Sequence, residues 1–182
     1  EGNVDGRMLF DGYWGSGSHN LVFRSWMTGD NNNPATTMNK ICAEIETMNT
    51  SISYLGNVLG FKGMTGEYEI GVDGVRDTQQ GDFYIWKVGF AGSDQFGRRH
   101  APTLESLIRH GNYDFITKTV RWDPRLRDHN LPPSYYLTAK PSWFGSLDWP
   151  PFGPDVPGYV KTTPAKQRWD TYTSSGGLSD LF

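Results

Sequence analysis

Two segments of the chain, NLVFRSWMTG (residues 20–29) and SISYLGNVLG (residues 51–60), match each other without a gap when Asn20 is placed on Ser51. Apolar, aromatic and glycine positions coincide in the alignment: Leu21 with Ile52, Phe23 with Tyr54, Met27 with Val58, and Gly29 with Gly60. Repeats of this kind build coils that bury their inward side chains only by stacking on neighbouring coils. The repeat therefore predicts a β-solenoid.

The first residues of the chain extend this repeat. EGNVDG (residues 1–6) aligns with RSWMTG (residues 24–29), which makes Asn3, Trp26 and Asn57 equivalent positions. Asparagine suits a corner between strands, because it tolerates left-handed backbone and its amide can hydrogen-bond the same residue one coil away. We expect equivalent residues to lie on neighbouring parallel strands.

Composition favours many short strands over long helices. Glycine accounts for 22 of the 182 residues and aromatic residues for 14%, and each interior glycine costs a helix roughly 1 kcal/mol relative to alanine. Six runs of 6 to 11 residues before position 92 are rich in β-branched and aromatic residues and are bounded by Gly, Asn, Asp or Ser. Residues 1–100 are therefore predicted to form the coils.

The composition and the pattern of the sequence change after residue 100. APTLESLIRHGNY (residues 101–113) predicts a short helix that starts at Pro102 and Thr103 and ends at Gly111. The rest of residues 101–155 is predicted to form a last strand and an irregular cap rich in proline and aromatic residues, with Trp143 and Trp149 buried. Residues 156–182 are predicted to be a polar tail.

Four motifs in this order resemble the C-terminal part of bacterial right-handed parallel β-helix, pectate-lyase-like repeat proteins. They are FDGYWGSGSHNLVFRSWMTG, YLGNVLG, LIRHGNYD and LPPSYYLTAKPSWFGSLDWPPFGPD. The resemblance implies an all-β fold of right-handed parallel coils, an extracellular or secreted location, and further coils of the same protein upstream of Glu1. Most such proteins lack an assigned activity, so the resemblance names no enzyme.

Charge and cysteine content exclude several classes of protein. The net charge is −3 and RWDPRLRDH, the densest basic segment, is interleaved with aspartates, so no nucleic-acid-binding patch is predicted. No apolar run approaches the length of a membrane span. Cys42 is the single cysteine, which excludes an internal disulfide and a cysteine-based zinc cluster, and it is predicted to be a buried core residue.

The stretch GSGSH (residues 15–19) invites a catalytic interpretation. It lacks the G-x-S-x-G pattern of a hydrolase elbow and a following helix. A polysaccharide lyase needs a base and a cation that neutralises the uronate carboxylate, and Asp11, His19 and Arg24 offer such groups. His19 and Arg24 are five residues apart and would face opposite sides of one regular strand, so a structural corner is the alternative interpretation.

Exposed aromatic side chains are the candidate carbohydrate-binding residues, because sugar rings stack on aromatic faces. The candidates from the sequence are Tyr13, Trp14, Trp26 and Trp86. WFGSLDWPPF (residues 143–152) fits either a cap or a binding surface. GDNNNP (residues 29–34) is the one Ca²⁺ candidate and lacks the spacing of an EF-hand loop, so neither a metal nor a cofactor is predicted.

The sequence therefore favours a structural or glycan-binding segment of a larger extracellular protein, with a polysaccharide or upstream coils as partner. One alternative is a polysaccharide lyase or glycoside hydrolase whose cleft this segment helps to build. Another is a fibre or phage-type assembly module, in which copies of the chain associate side by side.

Overall fold

A computed structural model describes residues 1–30, 40–70, 83–90 and 99–175. These residues form twelve short strands, two α-helices and a 3₁₀-helix. The strands are β1 (Val4–Asp5), β2 (Met8–Phe10), β3 (Leu21–Phe23), β4 (Trp26–Met27), β5 (Ile41–Ile45), β6 (Ser53–Leu55), β7 (Val58–Leu59), β8 (Gly66–Glu69), β9 (Phe83–Val88), β10 (Ile108–His110), β11 (Asn112–Asp114) and β12 (Thr119–Arg121). The helices are α1 (Ala101–Ser106), α2 (Pro164–Ser174) and the 3₁₀-helix Ser142–Phe144.

The strands make three small sheets. The orders are β1-β4-β7-β11-β12, β3-β6-β10 and β2-β5-β9-β8. All neighbours are parallel except β11 and β12, which form an antiparallel pair. Strands that follow one another along the chain mostly enter different sheets, so each sheet joins residues that are distant in sequence.

The predicted fold class, right-handed parallel β-helix coils followed by a cap with one short helix, is wrong in this form. Three small, mostly parallel sheets and two α-helices are present, and no closed solenoid is detected over the described ranges. The regular passage from sheet to sheet is interrupted after β8. There β8 and β9 enter the same sheet, with β8 on the far side of β9, and β12 then reverses direction.

The predicted register is also in error by a single position. Segments 20–29 and 51–60 do pair in parallel, but Val22 lies opposite Tyr54 and Met27 opposite Leu59. Because side chains alternate along a strand, a shift by a single position exchanges the two faces. Val22 therefore belongs to the central core, whereas Leu21, predicted to face inward, is 43% exposed.

Corners between the three-stranded and five-stranded sheets repeat a pattern of two positions. The first residue has left-handed backbone, with φ values of 72° at Gly2, 41° at Arg24, 63° at Gly56 and 68° at Gly111. The second residue is polar: Asn3, Ser25, Asn57 or Asn112. The predicted equivalence of Asn3 and Asn57 is retained, but Ser25 takes the place that was assigned to Trp26.

Buried amides connect these corners. Asn57 Oδ1 accepts from the Ser25 N–H at 3.0 Å, and Asn57 Nδ2 donates to Asn112 Oδ1 at 2.9 Å and to the Val22 carbonyl at 3.0 Å. Asn112 Nδ2 in turn donates to the Tyr54 carbonyl at 2.9 Å. The ladder satisfies backbone groups that the turn removes from the sheets, which lets very short strands end inside the protein.

The central core lies between the three sheets. It contains side chains from all of them, including Val22, Cys42, Tyr54, Leu59 and Trp86. Cys42 is fully buried, as predicted, and burial raises the pKa of its thiol. The thiol therefore acts as a small core side chain.

A second apolar cluster covers the other face of the five-stranded sheet. Val58 and Tyr113 of this sheet pack with Phe152, and Trp26 lies against the same cluster. Phe152 belongs to residues 131–163, which we name the C-terminal layer. This layer covers the side of a sheet, whereas the predicted cap was expected to close the end of a coil.

The helix predicted from Pro102 to Gly111 is shorter than expected. It ends at Ser106, Leu107 is extended, and β10 begins at Ile108. Arg109 consequently pairs with Glu69 on β8, at 2.6 Å between Nη1 and Oε2. Burial alone would raise the pKa of Glu69, but hydrogen bonds from Arg109 and Arg99 outweigh it and lower that pKa.

The predicted polar tail contains the second α-helix. Helix α2 begins after Thr163, whose side-chain oxygen accepts from the Lys166 N–H at 3.1 Å, with Pro164 in the first turn. Its side chains are not buried. The C-terminal part therefore departs from the prediction in two respects. The predicted tail contains α2, and Trp143 of the predicted cap faces outward.

Candidate functional site

Arg24 is the residue that joins the C-terminal layer to the sheets. Its side chain is 2% exposed, and its guanidinium uses all five N–H groups. Nε donates to the Pro132 carbonyl at 2.8 Å, and the two terminal nitrogens donate to the Leu131 and Phe152 carbonyls at 3.1 and 3.0 Å. The same nitrogens hold both carboxylate oxygens of Asp155 at 2.7 and 2.8 Å.

The environment of this ion pair is adapted to its bulk and charge. A β-carbon at Gly153 would collide with Arg24 Nη1, so only glycine lets the layer approach so closely. Burial alone would raise the pKa of Asp155, but the hydrogen bonds and charge of Arg24 outweigh it and lower that pKa. Asp155 is therefore held ionised against its partner.

The structure does not assemble Asp11, His19 and Arg24 into one catalytic group. Arg24 has no N–H left for a substrate carboxylate. The Asp11 carboxylate accepts from the N–H groups of Tyr13 and Trp14 at 3.0 and 3.4 Å, which is a local turn. His19 has a left-handed φ of 56°, and its one side-chain hydrogen bond within the described residues joins Nδ1 to the Ser18 hydroxyl at 3.1 Å.

The stretch GSGSH is thus a corner in the structure. Ser51, which precedes β6 just as His19 precedes β3, has a φ of 55°, and Ser18 bridges to Thr50 in parallel. Asn49 fixes the loop before the corner, because its side-chain oxygen accepts from the Gly17 N–H at 2.6 Å. The corner interpretation accounts for the left-handed backbone of His19 and for its hydrogen bond to Ser18.

The aromatic candidates occupy three different environments. Trp86 is fully buried in the core and offers no face to a sugar. Trp26 is half-buried beneath Phe152 and donates from Nε1 to the Gly60 carbonyl at 2.8 Å. Tyr13 and Trp14 are 81% and 88% exposed and pack against each other in the 11–18 loop.

A groove in the C-terminal layer holds a further set of exposed aromatic residues. We name it the aromatic groove; its volume is about 380 Å³. Its lining comprises Glu1, Gly2, Arg24, Pro133, Tyr136, Leu137, Trp143, Phe144, Trp149, Pro151, Thr163, Pro164 and Ala165. Tyr136 and Trp143 are 79% and 68% exposed, against the predicted burial of Trp143, and Trp149 is half-buried.

The aromatic groove has little charge to offer a ligand. The guanidinium of Arg24 is fully engaged inside the layer. The Glu1 carboxylate accepts from the Ser134 hydroxyl, and from the Tyr135 N–H at 3.1 Å. The groove therefore presents aromatic and proline surfaces with one carboxylate at its edge.

No group of three or more His, Cys, Asp or Glu residues in the described part of the chain is placed to hold a metal ion. The Ca²⁺ candidate at residues 29–34 lies mostly outside the described residues. Neither of the two described α-helices has the length and apolar character needed to cross a membrane.

Comparison of the chain with protein-family models, curated proteins and solved structures finds no match. The resemblance to pectate-lyase-like proteins and the extracellular location thus stay predictions.

Sequence reasoning missed the anchoring role of Arg24, and it gave residues 143–152 as a binding surface only as an alternative to a cap. A usable signal existed for the corner: GNV, GNV and GNY recur at positions 2, 56 and 111, and Arg24 stands where the other corners have glycine. The acceptors of Arg24 carry no comparable signal, since they lie 107 to 131 residues away in sequence.

Proposed function

We propose that the protein is a carbohydrate-binding module whose binding site is the aromatic groove. The observation that carries the proposal is the exposure of Trp143 and Tyr136 at the mouth of a groove of about 380 Å³. Large exposed aromatic clusters are uncommon on soluble proteins and mark interaction sites. Aromatic rings also bind a sugar ring without a charged partner, by contact with its C–H face.

The backbone around the groove is restrained before a ligand arrives. Pro133, Pro151 and Pro164 line it, and the ring of proline locks the backbone φ angle. Arg24 holds the carbonyls of residues 131, 132 and 152 in place from beneath. A rigid site loses less conformational entropy on binding, which favours affinity for a flexible saccharide.

A binding role accounts for the lining better than glycoside hydrolysis does. Hydrolysis requires two carboxylates across the scissile bond, and Glu1 supplies the one carboxylate among the described lining residues. Lyase chemistry requires a free cation beside the uronate, and Arg24 is committed to Asp155. The groove can hold a sugar chain, and its lining residues supply no acid–base pair.

Isothermal titration calorimetry with cellohexaose, hexa-N-acetylchitohexaose and mannohexaose tests the proposal. Trp143→Ala and Tyr136→Ala should each weaken binding about tenfold or more, since one lost aromatic contact is worth about 1.4 kcal/mol at that ratio. Trp14→Ala is the matched control, because Trp14 is 88% exposed outside the groove. Binding that survives Trp143→Ala and is lost in Trp14→Ala would assign the sugar to the Tyr13–Trp14 pair and contradict the groove.

A further inference from the structure

A second cavity lies next to the aromatic groove. Its volume is about 310 Å³, and we name it the Asp155 cavity. Its lining comprises Val120, Trp122, His129, Asn130, Leu131, Pro154 and Asp155. Most of these side chains are polar or aromatic, and they include an amide and a carboxylate.

The Arg24–Asp155 ion pair and residues 131–133 separate the two cavities. Arg24 lines the groove and Asp155 lines the second cavity, at 2.7 Å from each other. Leu131 lines the second cavity, and Pro133, shortly after it in the chain, lines the groove. The two cavities are therefore adjacent, with the Arg24–Asp155 ion pair between them.

Polar atoms in the Asp155 cavity retain hydrogen-bonding capacity. The Asp155 side chain is 54% exposed, and each of its oxygens accepts one bond from Arg24, which leaves further lone pairs. Asn130 donates through its backbone N–H and Nδ2 to Asp128 Oδ1, at 2.9 Å in both cases. Its own Oδ1 has no partner within the described ranges.

An ordered aromatic wall completes the cavity. The His129 ring stacks on Trp122 with centroids 4.2 Å apart and planes 7° apart. Buried His110 packs edge-on against Trp122, and its two ring nitrogens lie 2.8 Å from the Asp128 carbonyl and 3.3 Å from the Asp123 N–H. The stack is thus supported from inside the protein, as a preorganised binding surface requires.

We infer that the Asp155 cavity is a second saccharide subsite, which extends the aromatic groove and selects an uncharged sugar chain. The inference rests on the proposed function of the groove. Hydroxyl groups of a sugar can donate to Asp155 and Asn130 Oδ1 while its ring contacts the His129–Trp122 wall. This pairing of carboxylate, amide and aromatic surface suits a neutral, hydroxyl-rich ligand.

Charge gives the subsite its selectivity. The ionisable side chains that line the two cavities, within the described residues, include Glu1, Arg24, His129 and Asp155. Arg24 has no free N–H, so a uronate would meet two carboxylates and no available guanidinium. Like-charge contact of this kind rejects a ligand even where its shape fits.

Saccharides that differ in length and charge test this inference separately from the proposed function. We would titrate the full chain with cellohexaose, hexa-N-acetylchitohexaose and mannohexaose, with the matching disaccharides, and with hexagalacturonate. A hexasaccharide that spans both cavities should bind at least about tenfold more tightly than its disaccharide. Hexagalacturonate should bind more weakly than the neutral hexasaccharides.

Asn130→Ala and His129→Ala should each weaken hexasaccharide binding to the level of the disaccharide and leave disaccharide binding unchanged. Asn20→Ala is the control, because Asn20 is an exposed asparagine that lines neither cavity. If both variants bind the hexasaccharide like the wild type while Trp143→Ala does not, the second subsite is overturned and the groove stands. If no saccharide binds the wild-type protein, both proposals are overturned. Equal affinity for hexagalacturonate would overturn the charge selectivity.

Discussion

Among single residues, Arg24 occupies a position that glycine holds elsewhere. Gly2, Gly56 and Gly111 take left-handed backbone at the equivalent corners, and Arg24 does so at φ 41°. For a residue with a β-carbon this conformation costs roughly 1–2 kcal/mol. The five hydrogen bonds of the guanidinium more than offset that cost, because they hold the C-terminal layer in place.

Arg24→Gly tests whether the anchoring contacts of Arg24 outweigh its backbone strain. The variant relieves the strain but leaves Asp155 and three backbone carbonyls without their donor, so we expect a net loss of roughly 3 kcal/mol in the free energy of unfolding. Urea denaturation followed by tryptophan fluorescence measures it. Arg127→Ala, at an exposed arginine, should change stability by less than about 0.5 kcal/mol. An Arg24→Gly protein as stable as the wild type would show that the anchor contributes no more than the backbone strain that the substitution relieves.

Among the secondary-structure elements, very short strands are stabilised by their corners. β4 and β7 have two residues each, far fewer than the roughly 5–6 of a typical strand. Buried Asn57, with Ser25 and Asn112 on either side, replaces the hydrogen bonds that such short ladders cannot supply. The amide ladder is thus as much a part of the fold as the sheets.

Asn57→Ala tests the ladder. It removes the acceptor of the Ser25 N–H and a donor to Asn112 inside the protein, so we expect a loss of roughly 2 kcal/mol or more in the free energy of unfolding. Chemical denaturation monitored by circular dichroism provides the value. Asn20→Ala removes an amide from an exposed position and should be nearly neutral. Equal effects of the two substitutions would argue against a structural role for the ladder.

In the molecule as a whole, the contacts that join the C-terminal layer to the sheets include an apolar cluster and the Arg24–Asp155 ion pair. Phe152 packs on Val58 and Tyr113, and Asp155 receives both terminal nitrogens of Arg24. The apolar contact does not titrate, whereas the ion pair does. Attachment of the layer should therefore depend on pH through Asp155.

The direction follows from the lowered pKa of Asp155. A carboxyl whose pKa is lower in the folded state stabilises that state fully above its ordinary pKa of about 4, and the contribution is lost as the pH falls through the lowered value. We expect the melting temperature to fall with pH below about 4. Asp155→Asn should melt at a lower temperature at neutral pH and lack this part of the pH dependence.

Asp148→Asn is the control for the pH experiment, since Asp148 is a 68%-exposed partner of Lys161 in the same layer. Exposed pairs contribute about 0–1 kcal/mol, so this variant should follow the wild-type curve. A pH profile that Asp155→Asn leaves unchanged would assign the acid sensitivity to other carboxyl groups.

Several local features of this protein follow from the amino-acid sequence alone. Short strands, glycine and asparagine corners, parallel pairing of residues 20–29 with residues 51–60, and burial of Cys42 all follow from composition and repetition. These properties depend on neighbours in the chain and on alternation along a strand, which sequence patterns display directly. The error of one position in register placed Leu21 on the core face in place of Val22, because alternation along a strand does not distinguish two adjacent registers when neighbouring positions are apolar.

What lies on the outer faces is decided by the tertiary structure. Trp143 looks like a core residue in sequence but lines a groove, and Arg24 looks like a catalytic cation but binds a carboxylate 131 residues away. Aromatic and charged side chains are compatible with both environments, and the environment depends on which distant segment covers them. The position of the C-terminal layer in the fold determines the environment of these side chains.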